Sequence, residues 1–154
     1  MKLIFEKYRT ILFGLLAKGI SYLLWVEIPP VVAAGALIEQ NGKLLVLNYS
    51  YLDGYGVPGG IVKAGENLEE ALVREVKEET NLQVTSCEYF CSSTNHKYGL
   101  SNVNTFFLVS TEGQPQDSNE GALRWIEPEE LIGACAYPGV EVAVRKLIEQ
   151  RIRS

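Results

Sequence analysis

A chain with a single histidine, His96, has no material for a histidine-rich metal centre, and only His96 itself could complete a Ser-His-Asp or Cys-His triad. Cysteine is scarce too. Cys87, Cys91 and Cys135 form neither an even disulfide framework nor a CxxC pair, which fits small buried hydrophobes in a reducing, cytoplasmic compartment. Positive charge is in the minority, with 14 Lys and Arg against 19 Asp and Glu, so at a net charge of −5 nothing points to nucleic-acid binding by counterion release. Long apolar runs are also missing. Between Met1 and Val26 the charges Lys2, Glu6, Lys7, Arg9 and Lys18 leave no uncharged run longer than eight residues, too short for a spanning helix of about 20 or a signal core.

What is present is an ordinary globular composition, 47% apolar and 21% charged over 154 residues, enough for one domain with a real core. Two parts are expected: an extension over residues 1–30 and a domain over 31–154. In the extension Ile4, Tyr8, Ile11, Leu12, Leu15, Ile20 and Leu23 recur at helical spacing, and Pro29-Pro30 stops the pattern. Residues 1–20 carry four positive charges and one negative, whereas residues 21–154 carry ten positive and eighteen negative. An amphipathic helix of that kind packs on its own domain, packs on a second subunit in a homodimer, or lies on an anionic membrane surface.

Beyond the prolines, Val31 to Ile38 and Lys43 to Asn48 flank Asn41-Gly42, the signature of a two-residue hairpin. Asp53 to Gly60 reads as a turn-rich glycine loop, Leu68 to Thr80 as a helix, Gln83 to Ser92 and Val103 to Ser110 as strands, and Gly113 to Asn119 as a polar loop. Leu123 to Ile126 is a further strand, followed by a helix start at Pro128-Glu129-Glu130-Leu131 and a last helix from Pro138 to Arg151.

The chemistry concentrates on the first of these helices. Asn67 and Glu70 have the spacing of a capping box, and Asn81 is suited to the left-handed position past a helix end. Between them Glu75, Glu78 and Glu79 stand at i, i+3 and i+4 on one face, so three carboxylates converge on a small volume. Clustered like charges repel, and a hard divalent cation with a taste for oxygen ligands reverses the sign of that interaction. By itself the run Arg74 to Glu79 is also explained by a solvated face on which Arg74 and Lys77 pair with neighbouring glutamates.

The longer pattern is more specific. Gly60, Glu66, Arg74-Glu75-Val76, Glu78-Glu79 and Asn81-Leu82, at their observed spacings, resemble the Nudix box, with Asn81 in place of the usual glycine. Val57-Pro58-Gly59-Gly60 looks like the loop preceding that box, and Leu123 to Ile126 with Pro128 to Leu131 looks like the family's late strand and short helix. The resemblance implies an α+β fold, an α/β/α sandwich around a mixed β-sheet, with the N-terminal extension outside the common pattern.

It also implies a function: Mg²⁺-dependent hydrolysis, with Mn²⁺ as a substitute, of a phosphoanhydride bond in a nucleoside triphosphate or a nucleoside diphosphate linked to another group. Glu75, Glu78 and Glu79 would hold metal, with Glu66 in support and Glu120, on the loop before the late strand, as a further ligand. Glu79 or Glu120 would be the general base, with Glu78 also in the catalytic set. Gly59 and Gly60 would approach the phosphates, and Arg74 would orient a glutamate at the substrate site. Tyr55, Tyr98 and Phe106 are candidates either to stack on a base or ribose or to pack in the core. The partner would be a small nucleotide. The competing reading is a catalytically silent domain of the same family that senses a nucleotide or mediates protein contacts.

Overall fold

The computed structural model describes residues 15, 16, 18–20, 29–50, 52–97 and 100–153. Of the N-terminal extension only residues 15, 16 and 18–20 are among them, helical and exposed, so the expected amphipathic helix otherwise lies outside the described residues. Strand β1 (Val31–Gln40) turns through Asn41-Gly42, with φ of 52° and 82°, into β2 (Lys43–Tyr49), as the hairpin signal requires. Positive φ at both positions is what Asn and Gly supply.

The glycine loop is more structured than the sequence suggests. It holds two short strands, β3 (Tyr55–Gly56) on β2 and β4 (Gly59–Ile61) on β1, both antiparallel. Helix α1 (Leu68–Thr80) follows, with the bounds expected. Strands β5 (Gln83–Lys97) and β6 (Leu100–Glu112) then form a long hairpin that overruns the expected Ser92 and Ser110 boundaries and bends at two register shifts. Polar cross-strand pairs such as Ser93 with Asn104 and Asn95 with Asn102 carry the ladder beyond the apolar pattern. The chain closes with β7 (Gly121–Ile126), one 3-10 turn over Pro128–Leu131 and helix α2 (Pro138–Arg153).

The sheet is mixed, ordered β3-β2-β1-β6-β5, with β4 on β1 and β7 on β2. Among the described strands β1 and β6 pair in parallel, Val31 opposite Asn102 through Ile38 opposite Val109, and the other strand pairs are antiparallel. Alternation along the strands divides the core between two faces. Ala34, Ala36 and Ile38 of β1, Leu45 of β2 and Phe107 of β6 pack with Leu72 and Val76 of α1. Their neighbours Leu37, Leu44, Val46 and Phe106 point the other way, onto Val140, Val144 and Leu147 of α2. Helix on sheet on helix is the expected sandwich. None of the described helices is long and apolar enough to cross a membrane.

Candidate active site

Helix α1 owes its placement to both ends. Asn67 Oδ1 accepts from the Glu70 N–H at 2.8 Å while Glu70 Oε2 accepts from the Asn67 N–H at 2.9 Å, so the capping box is formed. At the other end Asn81 takes φ 61°, its N–H donates to the Lys77 carbonyl at 3.1 Å, and Lys77 Nζ donates to Asn81 Oδ1 at 2.8 Å. Leu72 and Val76 are fully buried on the sheet, which fixes the helix's rotation and sends Glu79 inward and Glu78 outward.

Opposite the helix lies β4. A side chain on Gly59 would put its Cβ 2.2 Å from the Ala34 carbonyl oxygen, and one on Gly60 would put it 2.5 Å from the Glu75 carboxyl. Glycine is therefore required twice for close approach, first to seat the loop on β1 and then to leave room for Glu75. The Gly59 N–H donates to Glu79 Oε2 at 2.8 Å. Pro58 completes the seat, its carbonyl accepting from the Ala36 N–H at 2.7 Å.

Arg74 is the hub of the remaining carboxylates. Its Nε and Nη2 donate to the two oxygens of Glu66 at 2.6 and 2.8 Å, Nη1 donates to Glu75, and Nη2 also reaches the Ile61 carbonyl at 3.2 Å. Arg74 and the Lys63 N–H together hold the Glu66 carboxyl down at about 2, and the same pairing raises the Arg74 guanidinium further. Glu78 stands 3.7 Å from Nη1 with its side chain largely in solvent.

Glu79 has the opposite environment. It is 4% exposed, and burial pushes its carboxyl up to about 8, with Glu120 and Glu75 adding to the rise and the Gly59 N–H opposing it. Glu120 comes from the loop ahead of β7 and bears on Glu79 from there, disfavouring its ionised form. The loop carrying it is held by Ser50, whose N–H donates to the Glu120 carbonyl at 3.3 Å, and by Asp117, whose Oδ1 accepts from the Leu123 N–H at 2.8 Å.

A NUDIX domain profile matches residues 29–150. The chain belongs to the Nudix family. Its Nudix domain is 32% identical over 108 residues to the CTP pyrophosphohydrolase of Escherichia coli (strain K12), covering 67% of this chain and 78% of that one. Over 56 residues it is 45% identical to the ADP-ribose pyrophosphatase of Methanocaldococcus jannaschii, covering 34% of this chain and 33% of that protein. Against three of the curated relatives the chain spans only 33%, 37% and 48% of their length. Among solved structures, that of the E. coli ORF135 protein superposes with a TM-score of 0.71 at 26% identity, covering 80% of this chain and 92% of that one. Nudix hydrolases generally use divalent metal ions.

In this Nudix domain Glu66, Arg74, Glu75 and Glu78 form one connected group, and Glu79, Glu120 and Gly59 another beside it. The convergence of three helix carboxylates is looser than the i, i+3, i+4 spacing suggests. Among the described residues no three acidic, histidine or cysteine side chains are gathered into a ready-made ion cage, because Arg74 draws Glu75 aside and Glu78 faces solvent. The donors are nonetheless all oxygens, and Glu120 and Glu75 both disfavour the ionised form of the buried Glu79. That arrangement suits a hard divalent cation, which would relieve the repulsion.

Gly59 has a different role from phosphate approach alone, since its N–H is committed to Glu79. A main-chain donor carries no mark in a sequence, and this one was not foreseen. Tyr55 packs against the cluster under α2, its N–H donating to the Ala134 carbonyl at 2.8 Å, and Phe106 is 3% exposed in the same cluster. Both serve the core on the face away from α1. Tyr98 lies outside the described residues. His96 sits near the tip of the β5–β6 hairpin, 3.3 Å from Ser101 Oγ.

Proposed function

We propose that this chain is a Mg²⁺-dependent pyrophosphohydrolase that cleaves a phosphoanhydride bond in a nucleoside triphosphate or in a nucleoside diphosphate linked to another group. The observation that carries the reading is the buried Glu79, held by the Gly59 N–H with Glu120 and Glu75 bearing on it. Nothing in folding favours such a cluster, which raises the free energy of its ionised form. A divalent cation shared with phosphate oxygens of a substrate would offset that cost.

Glu75, Glu78 and Glu79 would hold Mg²⁺, for which Mn²⁺ substitutes, with Glu120 as the further ligand from across the cleft. A divalent ion held by these carboxylates would supply charge neutralisation for the phosphates and acidify a water. The protein's own share is positional. Gly59 fixes the Glu79 carboxylate through its N–H, and Gly60 leaves Glu75 its place beside β4. Arg74 spans Glu66 and Glu75, setting the direction of Glu75 with donors that a substrate then has no need to satisfy. Glu79 or Glu120 would take the proton of the attacking water as its oxygen bonds to phosphorus and the bridging oxygen departs with the leaving phosphate group. The absence of a disulfide among Cys87, Cys91 and Cys135 suits a cytoplasmic location, and burial pushes the Cys91 thiol up and Cys135 to about 11, away from thiolate chemistry.

The test is turnover of nucleoside triphosphates, nucleotide sugars, ADP-ribose and dinucleoside polyphosphates with saturating Mg²⁺, in the parent chain and in Glu79→Gln and Glu120→Gln across pH. At least one of the two substitutions is expected to lower turnover by tenfold or more, in line with general-base catalysis worth about 10²–10⁴. Unchanged turnover in both would reject the site, and binding without turnover of every compound would favour a nucleotide sensor.

A further inference from the structure

Beside the last turn of α1 lies an open depression of about 300 Å³, among whose lining residues Glu78 alone has a metal or catalytic role above. The helix end forms one wall with Lys77, Glu78 and Asn81, and the loop between β6 and β7 forms the other, from Gln116 to Asn119. Glu78 belongs both to this wall and to the box. The loop is fastened to the helix: the Gln116 N–H donates to the Thr80 carbonyl at 2.9 Å, one of the carbonyls a helix leaves unpaired at its end. The same loop presents Glu120.

We propose that this cavity receives the sugar, or an equivalent polyol, attached to the diphosphate of the substrate; the assignment rests on the pyrophosphohydrolase reading above. Its lining argues by elimination and by match. Among the described residues that line it there is no aromatic or large aliphatic side chain, so a base finds nothing to stack on. Lys77 is the cation of the lining, and its Nζ already donates to the Asn81 carbonyl and Oδ1, so a further phosphate finds no uncommitted cationic partner. What remains are the amides of Asn81, Gln116 and Asn119 and the hydroxyl of Ser118, groups that donate and accept alike. Sugar hydroxyls do the same.

Asn81 ties the cavity to the one departure from the box. Lys77 Nζ can only donate, so the side-chain atom it meets at 2.8 Å is Asn81 Oδ1, and the two hydrogens of Asn81 Nδ2 are left for a ligand. Glycine at this position would keep the left-handed cap and lose the amide. The substitution that looks neutral for the helix thus supplies a contact for the group beyond the diphosphate.

The experiment compares ADP-ribose and ADP-glucose with ATP, which share the adenosine diphosphate portion, as substrates of the full chain with Mg²⁺. Asn81→Gly and Gln116→Ala are measured alongside, with circular dichroism as the check on folding. A kcat/KM at least tenfold higher for one of the diphosphate sugars than for ATP is expected. Each substitution is expected to shrink that ratio at least threefold, through KM of the sugar compound. Turnover of ATP without preference for either sugar, or a ratio that neither substitution moves, overturns the cavity assignment and leaves the pyrophosphohydrolase reading standing. Failure to turn over any of the three, or any compound of the wider panel, overturns both.

Discussion

The main-chain N–H of Gly59 and the carboxylate of Glu79, twenty positions apart, meet at 2.8 Å and join the glycine loop to the helix that follows it. This bond is the one favourable hydrogen bond to a carboxylate that burial and its neighbours otherwise disfavour. Its consequences extend to pH.

Glu79 in the folded chain titrates near 8 against an ordinary value of 4.5. A carboxyl raised by folding binds its proton more tightly in the native state, so the stability it contributes is complete below pH 4.5 and is lost as pH rises through 8. Metal-free protein is expected to lose about 2–3 kcal/mol between pH 6 and pH 9, read as a falling urea midpoint. Glu79→Gln should flatten that slope, and Mg²⁺ should restore stability most at the alkaline end, where no proton competes for the site. A slope that Glu79→Gln leaves unchanged would place its origin elsewhere.

Adjacent glycines are expected to fail in different ways. Alanine at Gly59 meets the Ala34 carbonyl, a main-chain atom that cannot step aside, so Gly59→Ala should cost about 2 kcal/mol or more of stability. Alanine at Gly60 meets only the end of the Glu75 side chain, which can swing away. Gly60→Ala should therefore stay folded and need roughly tenfold more Mg²⁺ for half-maximal activity. Thermal melts and metal titrations of both variants separate the two effects.

Every donor that Arg74 uses is directed at the protein itself, to Glu66, Glu75 and the Ile61 carbonyl. Lysine keeps the charge but cannot form the two-pronged contact with Glu66 while also holding Glu75. Arg74→Lys is expected to lower kcat about tenfold or more with little change in KM for the nucleotide. A rise in KM at unchanged kcat would mean that Arg74 touches substrate.

The cap at Asn67 is local and should behave additively. Asn67→Ala removes the acceptor of the Glu70 N–H and is expected to cost about 1 kcal/mol in urea unfolding, without altering the metal requirement.

How legible these features were in the sequence depended on the range of the contacts behind them. Helix α1 could be bounded to the residue because both of its signals, the Asn67–Glu70 box and the left-handed Asn81, act within one turn. The hairpin at Asn41-Gly42 was readable for the same reason. Strands β3 and β4 were not, since two or three residues rich in glycine show no alternation and their pairing partners lie on β1 and β2. The extra lengths of β5 and β6 were hidden by polar residues that pair across the hairpin without burying an apolar face. In the site, the carboxylates announced themselves by spacing and by resemblance to the Nudix box. The attachment of Glu75 to Arg74 and the commitment of the Gly59 N–H are settled by which way side chains turn once the loop is seated. Tyr55 and Phe106 show the converse: aromatic candidates for the site whose partners are under α2.

The parallel pairing of β1 with β6 sets the order in which the enzyme can be born. Residues 57 to 62 rest on β1, whose other edge is completed only by residues 102 to 109. A nascent chain that has just released residue 95 from the ribosome therefore carries the whole Nudix box and the β1 and β2 residues it packs on, but lacks β6, which completes the sheet beside them. Such long-range pairing closes slowly. Hydrogen-exchange protection at the Gly59 amide should appear together with that of β6, late in refolding, so that the cluster of carboxylates is brought together only after the sheet that bears the strain is complete.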